Sequence, residues 1–590
     1  MQLDLARRFG WEGRSDRASR GESIFNDALK ACDSHFRTAR IFSALIAILY
    51  LSPSIYMMQV YDRVLTSRGL FTLVFLSAIV AFALITHSYL EGSRHRLLAR
   101  ASLRLDQVLG PKLVRAGFES RSGSDARNAQ ILREFDTYRQ YIQGPGTTGM
   151  MDLPFAPLFV IVAFGFHPLL GSLILGGAIL LIVLALLGER ATRKQTAEAA
   201  AKSPAAYAAA ELNHVSKGTI RALGMRGAMS SRMIRERNRM NESEARNHFV
   251  AGRYAGLIRL LRMVLQSASL GVGAYLAVRE EISGGALIAA SILTVRALAP
   301  IEQIVGSWRQ ISLARSAKAA IIGVLDGAAE ETPRQPLPAP KSTLSAEGIS
   351  VRAPGQDRLL LSDISFSVSS GEILGVIGPS GAGKSTLARA LVGAQIPDAG
   401  FVRIDGSNIA DWDADSLGAH VGYLPQDSVL FAGTIGENIC RFSADPEAGK
   451  DVVPAAQIAG AHEMIQRFPQ GYNSMLGLRG EGVSAGQAQR VALARALYRN
   501  PAVIILDEPN AHLDSEGDAS LVATLRLAKA RGACVIIMTH RSGVLGVADK
   551  LLVLRDGQVD KFGPRDEVLA ELKAASIRPV DARRIVGGAG

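Results

Sequence analysis

The residues best suited to chemistry form one unbroken run: Gly378, Pro379, Ser380, Gly381, Ala382, Gly383, Lys384, Ser385 and Thr386. They fit the phosphate-loop pattern G-x-x-x-x-G-K-[ST]. Glycines let backbone N–H groups turn toward an anion, and a helix start behind them adds partial positive charge. In such a loop Lys384 reaches the β- and γ-phosphates of a nucleoside triphosphate, and Ser385 holds Mg²⁺. A second motif lies downstream. The apolar run 503–506 ends in Asp507 and Glu508. Asp507 is placed to hold Mg²⁺, directly or through water, and Glu508 to polarise an attacking water as a general base. An apolar run ending in two acids is weak evidence alone. Paired with the phosphate loop in this order, it points strongly to nucleotide hydrolysis.

These residues need a scaffold. Residues 373–377 read as a buried strand entering the loop, and 387–392 as the opening of the helix leaving it. From residue 344 onward the chain alternates short β-runs, turns and helices, an α/β pattern, here assigned to 344–590. The first half differs. Hydrophobic residues make up 48% of the chain, which is high for a purely soluble enzyme. Apolar segments of bilayer length lie near 41–60, 70–90, 153–166, 169–187, 263–278 and 287–308. Between them the stretches 91–151 and 188–262 are long, polar and rich in Arg and Lys. The connections near 62–69, 167–168 and 279–284 are short. With both termini inside, six spans place both basic stretches inside as well, which accounts for the net charge of +12 without nucleic acid. The long stretches read as helices that continue past the bilayer.

Residues 1–40 read as a polar cytoplasmic segment, with a weakly amphipathic surface helix at 24–36, and 41–325 as an all-α transmembrane domain. Pro333, Pro336, Pro338 and Pro340 mark an extended linker at 326–343. The three cysteines, Cys32, Cys440 and Cys534, are far apart, which argues against a disulfide framework or a zinc site. Asp152 reads as a helix cap and His167-Pro168 as a tight turn. Arg296 and Glu302 admit two readings: they line a polar cavity, or they pair with neighbouring helices.

Val483-Ser484-Ala485-Gly486-Gln487 resembles the signature motif of the ATP-binding cassette family. The resemblance spans nearly the whole chain and implies a six-helix exporter-type membrane domain followed by one P-loop nucleotide-binding domain. It further implies that Gln426 senses Mg²⁺ and contacts the membrane domain, that Asp514 belongs to the D-loop, and that His540 contacts the γ-phosphate. Ser484, Gly486 and Gln487 would serve the nucleotide of an opposite cassette. One phosphate loop and one signature per chain then imply a homodimer binding ATP and Mg²⁺. The sequence departs from the pattern at Ala353, where an adenine-stacking aromatic is usual, at Ala485 in place of a glycine, and at Leu478 in place of an acid.

Met58-Gln59-Val60-Tyr61-Asp62-Arg63-Val64-Leu65, together with Asp152-Leu153-Pro154-Phe155-Ala156-Pro157, resembles bacterial type I secretion transporters. The segment 507–514 is similar to their protease-secretion branch. That resemblance implies an inner-membrane exporter of unfolded polypeptides with C-terminal signals. Its partners would be a periplasmic adaptor of the membrane-fusion type and an outer-membrane channel. The N-terminal segment is too short for the peptidase domain of some relatives, so no leader cleavage is expected. Alternative readings are a lipid or drug exporter, and an ATP-gated regulator or channel that does not pump.

Overall fold

The computed structural model describes residues 19–119, 131–215, 217–327, 337–341, 343–353, 357–511 and 515–577. The chain separates into two compact units, Met1–Glu330 and Glu331–Gly590.

The first unit is helical. Among the described residues six helices are long and apolar enough to cross a membrane: Asp33–Ser67, Leu70–Phe118, Pro145–Phe166, Pro168–Ala191, Phe249–Val278 and Gly284–Gly306. Three belong to much longer helices, Leu70–Glu119, Pro168–Val215 and Arg226–Val278. At 1.5 Å per residue each is roughly 70–80 Å long, more than twice a ~30 Å hydrocarbon core. The extensions past the bilayer therefore form as the sequence implies. The outward apolar residues of the six spans need no protein partner, because lipid tails solvate them.

The N-terminal helix Arg20–Lys30 corrects one expectation. It is not a loose surface helix. Phe25, Ala28 and, just beyond the helix, Cys32 are fully buried with Leu105, Leu109, Leu113, Phe135 and Ile321. The Phe25 and Tyr138 rings meet edge-on at 5.2 Å, and the Gly21 N–H donates to Asp326 at 2.6 Å. The apolar face repeats at helical spacing, so burial follows once a second surface is available.

Asp152 corrects another. Its side chain caps no helix. It accepts from Arg94 at 2.6 Å, and Arg94, itself 4% exposed, also donates to Ser43. An arginine this buried requires a carboxylate, and three helices are joined by the result. Glu302 follows the pairing alternative, 3.0 Å from Arg262. His167 does form a turn, its ring accepting from the Leu169 N–H, and it also stands 3.0 Å from Glu281. Asp62, inside a π-helical turn at Val60–Val64, accepts from the Ser283 hydroxyl at 2.5 Å and the Gly285 N–H at 2.8 Å.

The second unit is α/β. Its strands are β1 (Leu344–Arg352), β2 (Leu359–Val368), β3 (Ile373–Ile377), β4 (Ala399–Ile404), β5 (Ser407–Asn408), β6 (Val421–Leu424), β7 (Gly433–Thr434), β8 (Met475–Leu476), β9 (Val503–Asp507), β10 (Cys534–Met538), β11 (Lys550–Arg555) and β12 (Gln558–Pro564). The larger sheet runs β12-β11-β3-β10-β9-β6, parallel except for β12. A smaller antiparallel sheet runs β2-β1-β4-β5. Strands β9 and β10 are buried at every residue, as strands covered on both faces must be. Two apolar cores flank the larger sheet. Of the expected proline linker, residues 328–336 lie outside the described residues, and 337–341 carry no helix or strand.

Candidate functional site: a phosphate loop at the strand ends

In parallel α/β sheets ligands bind beyond the carboxyl ends of the strands. The candidate residues collect there. The phosphate loop follows β3, Gln426 follows β6, Asp507 ends β9 with Glu508 next, and His540 lies two residues past β10. Strand order thus gathers four sequence-distant segments along one edge.

The loop's shape is dictated at two glycines. A Cβ on Gly378 would overlap the Leu554 carbonyl oxygen on neighbouring β11, so the chain passes only without a side chain. Gly383 has φ +101° immediately before the helix Lys384–Leu391, a conformation L-residues avoid. Ser380 and Gly381 are exposed, whereas Ala382 and Thr386 are buried, the Thr386 hydroxyl accepting from Arg389 at 3.4 Å. Lys384 curls over the loop and donates to the Gly378 and Pro379 carbonyls at 2.7 and 3.1 Å. Its ammonium therefore sits above the backbone that would cradle phosphate.

Gln426 links the two sides of the site. Its amide oxygen accepts from the Ser385 hydroxyl at 3.3 Å, and its amide nitrogen donates to Glu508 at 3.4 Å. His540 Nδ1 lies 3.7 Å from the other Glu508 oxygen. Glu508 has φ +49°, costly for any residue with a Cβ, and its N–H is held by the Met538 carbonyl at 2.9 Å. Asp507 is 2% exposed, and its Oδ1 has no hydrogen-bond partner. Burial pushes its carboxyl above the usual aspartate range, the Ser385 hydrogen bond pulls it back, and the neighbouring Glu508 charge raises it again. An unsatisfied buried carboxylate oxygen beside a serine hydroxyl and an amide oxygen is a hard-oxygen donor set of the kind Mg²⁺ accepts. The residues present fit that ion.

Ser484, Gly486 and Gln487 stand apart from this cluster. Ser484 caps the helix Ala485–Leu497 in a reciprocal capping box with Gln487. No hydrogen bond or ion pair among the described residues joins them to Lys384 or Glu508. Asp514 lies outside the described residues. Leu478 is 76% exposed in a short turn whose next residue, Arg479, has φ +58°.

Gln489 escaped the sequence reading. It is buried, and its amide donates to the Glu508 and Pro509 carbonyls at 3.2 and 2.6 Å, fixing the chain at and just past Glu508. The available signal was a lone amide on the apolar stripe 489, 492, 493 and 496 of its helix.

Known proteins agree with this geometry. The ABC transporter family model matches residues 361–511. The chain is 37% identical over 561 residues to the type I secretion system ATP-binding protein PrsD of Rhizobium meliloti, covering 94% of this chain and 95% of that one. It is 29% identical to the toxin RTX-I translocation ATP-binding protein of Actinobacillus pleuropneumoniae, covering 90% of this chain and 76% of the relative. A bacterial Atm1-family ABC exporter solved with ATP bound superposes with a TM-score of 0.80 at 22% identity, over 93% of this chain and 99% of that one, which establishes the shared fold. With six membrane-length helices, a phosphate loop and its partner acids at the strand ends, the chain belongs to the type I secretion ATP-binding proteins, multi-pass ABC transporters that couple ATP hydrolysis to export.

Proposed function

We propose that the chain works as a homodimer in a bacterial inner membrane, exporting unfolded polypeptides with C-terminal signals. Its partners would be a periplasmic membrane-fusion-type adaptor and an outer-membrane channel. The relatives named for secretion and toxin translocation support this reading. The proline-rich segment 326–343 serves as the linker between the membrane and nucleotide-binding domains.

In each cassette the backbone of Gly378–Thr386 wraps the phosphates, and Lys384 neutralises them. Ser385, Gln426 and Asp507 would hold Mg²⁺, which supplies charge neutralisation at the phosphates. Glu508 accepts the proton of the attacking water, and His540 steadies the γ-phosphate. Ser484, Gly486 and Gln487 complete the site of the opposite protomer from a helix N-terminus, with Asp514 beside that junction. ATP thereby joins two cassettes, and loss of the γ-phosphate contacts lets them part. That two-state change drives the membrane helices.

The observation that carries the reading is the Gln426 bridge between Ser385 and Glu508. It joins the phosphate loop to the general base through one uncharged amide. The test is a pull-down from membranes with the Glu508→Gln protein locked by ATP. Recovery of an adaptor and a polypeptide with a C-terminal signal is expected. Recovery of lipid alone would reverse the substrate assignment.

A further inference from the structure

Arg296 lies in the membrane helix Gly284–Gly306, twelve residues from its Gly284 end. At 1.5 Å per residue that is about 18 Å, deep within a ~30 Å hydrocarbon core. Among the described residues no carboxylate pairs with it and no acceptor receives its N–H groups. It meets an aromatic ring instead: the guanidinium lies 4.0 Å from the centre of the Tyr50 ring. Tyr50 in turn packs against His87, ring centres 4.4 Å apart, and the buried His87 Nε2 has no hydrogen-bond partner. Helices one, two and six thus meet where the guanidinium lies over the phenol ring and the phenol meets the imidazole at a tilt of 54°.

The other membrane-unit arginines nearby contrast with this. Arg94 is matched by Asp152, Arg262 by Glu302 and Arg315 by Glu189. Glu91 acts electrostatically on Tyr50 and His87, yet forms no ion pair with Arg296. Ionisable groups at membrane depth are costly and face a bundle interior or a wet path. Stacking occupies only the flat face of a guanidinium. Its edge, with two parallel N–H donors, remains free to grip one carboxylate in bidentate fashion.

We propose that Arg296, held over the Tyr50 ring, is a station for the carboxylate side chains of an extended polypeptide in transit, with His87 Nε2 as a second polar contact. This rests on the polypeptide-export reading and adds a chemical preference to it, for acidic segments.

The test uses the full-length protein in lipid nanodiscs and two labelled twenty-residue peptides. One carries Asp and Glu at every third position; its twin carries Asn and Gln there. The parent should bind the acidic peptide at least tenfold tighter than the amide twin. Arg296→Gln should bring the two within twofold, with basal ATP hydrolysis within twofold of the parent as proof of folding. Arg296→Lys should recover part of the preference, and Tyr50→Phe most of it, since the ring stays. Equal binding of both peptides by the parent, or a preference that survives Arg296→Gln, overturns the proposal while leaving polypeptide export standing. If neither peptide binds the parent, the Arg296 station is likewise overturned, and the export reading is decided separately by the Glu508→Gln pull-down.

Discussion

Gln426 touches Ser385 and Glu508 at once, 3.3 Å from the hydroxyl of one and 3.4 Å from the carboxylate of the other. A residue following an edge strand, β6, therefore spans the cleft between the phosphate loop and Glu508. Gln426→Ala should uncouple them. ATP binding is expected to fall less than fivefold, whereas hydrolysis should fall by roughly tenfold or more, as loss of a positioning contact does. Nucleotide-binding titration beside steady-state phosphate release measures both. Equal losses in the two would make Gln426 a mere binding residue.

Glu508→Gln keeps the shape of the side chain and removes its basicity. General-base catalysis contributes ~10²–10⁴ in rate, so hydrolysis should drop by at least about a hundredfold while ATP stays bound. Phosphate release by the purified variant decides the matter; a rate near that of the parent would remove Glu508 from the role of base.

Asp507→Asn should separate stability from activity. The folded carboxyl titrates above its unfolded value, because burial disfavours its charge. The group's stabilising contribution is therefore complete below the unfolded value, about pH 4, and is lost as pH rises through the folded one. The nucleotide-free parent buries a carboxyl group whose Oδ1 finds no hydrogen-bond donor, and ionising it there is disfavoured. The variant should be more stable at neutral pH by about 1 kcal/mol, with the difference vanishing toward pH 4, and should be inactive. Melting curves across pH without Mg²⁺ test this; a variant that melts lower than the parent at neutral pH contradicts it.

Arg94 and Asp152 form the most buried ion pair of the membrane unit among those described. Removing one partner leaves the other uncompensated, at a cost of about 3–5 kcal/mol. Arg94→Met and Asp152→Asn should each reduce thermal stability, and the double variant should lose clearly less than the sum. Simple additivity in that cycle would show that the pair contributes nothing as a pair.

Thiol labelling should distinguish the three cysteines. Cys32 and Cys534 are buried, and burial pushes the Cys534 thiol up to about 12, so neither offers a thiolate near neutral pH. Cys440 is partly exposed. One thiol should react quickly with a water-soluble disulfide reagent in the native protein, and three after denaturation. Rapid reaction that persists in Cys440→Ser would contradict the buried placement of the other two.

Much was legible in the sequence because the signals are local. The phosphate loop, the acids ending β9 and the capping serine at 484 are each written within a few neighbouring residues, where backbone geometry and spacing fix the chemistry. Membrane spans are legible for the same reason, since hydropathy over about twenty residues needs no partner. Only tertiary structure decided which distant side chains meet. Arg94 finds Asp152 across 58 residues, and Asp62 finds Gly285 across 223. Arg296 and Glu302 lie less than two turns apart on one helix. One stacks on Tyr50 and the other pairs with Arg262, an outcome set by the neighbouring helices rather than by their own surroundings in the chain. Likewise the apolar face of Arg20–Lys30 was visible as a pattern, but its burial required a surface built from residues 101–116, 131–142 and 321–325. Short-range order is encoded in contiguous chemistry; the cost of a buried charge or an exposed apolar face is settled only by what the fold brings against it.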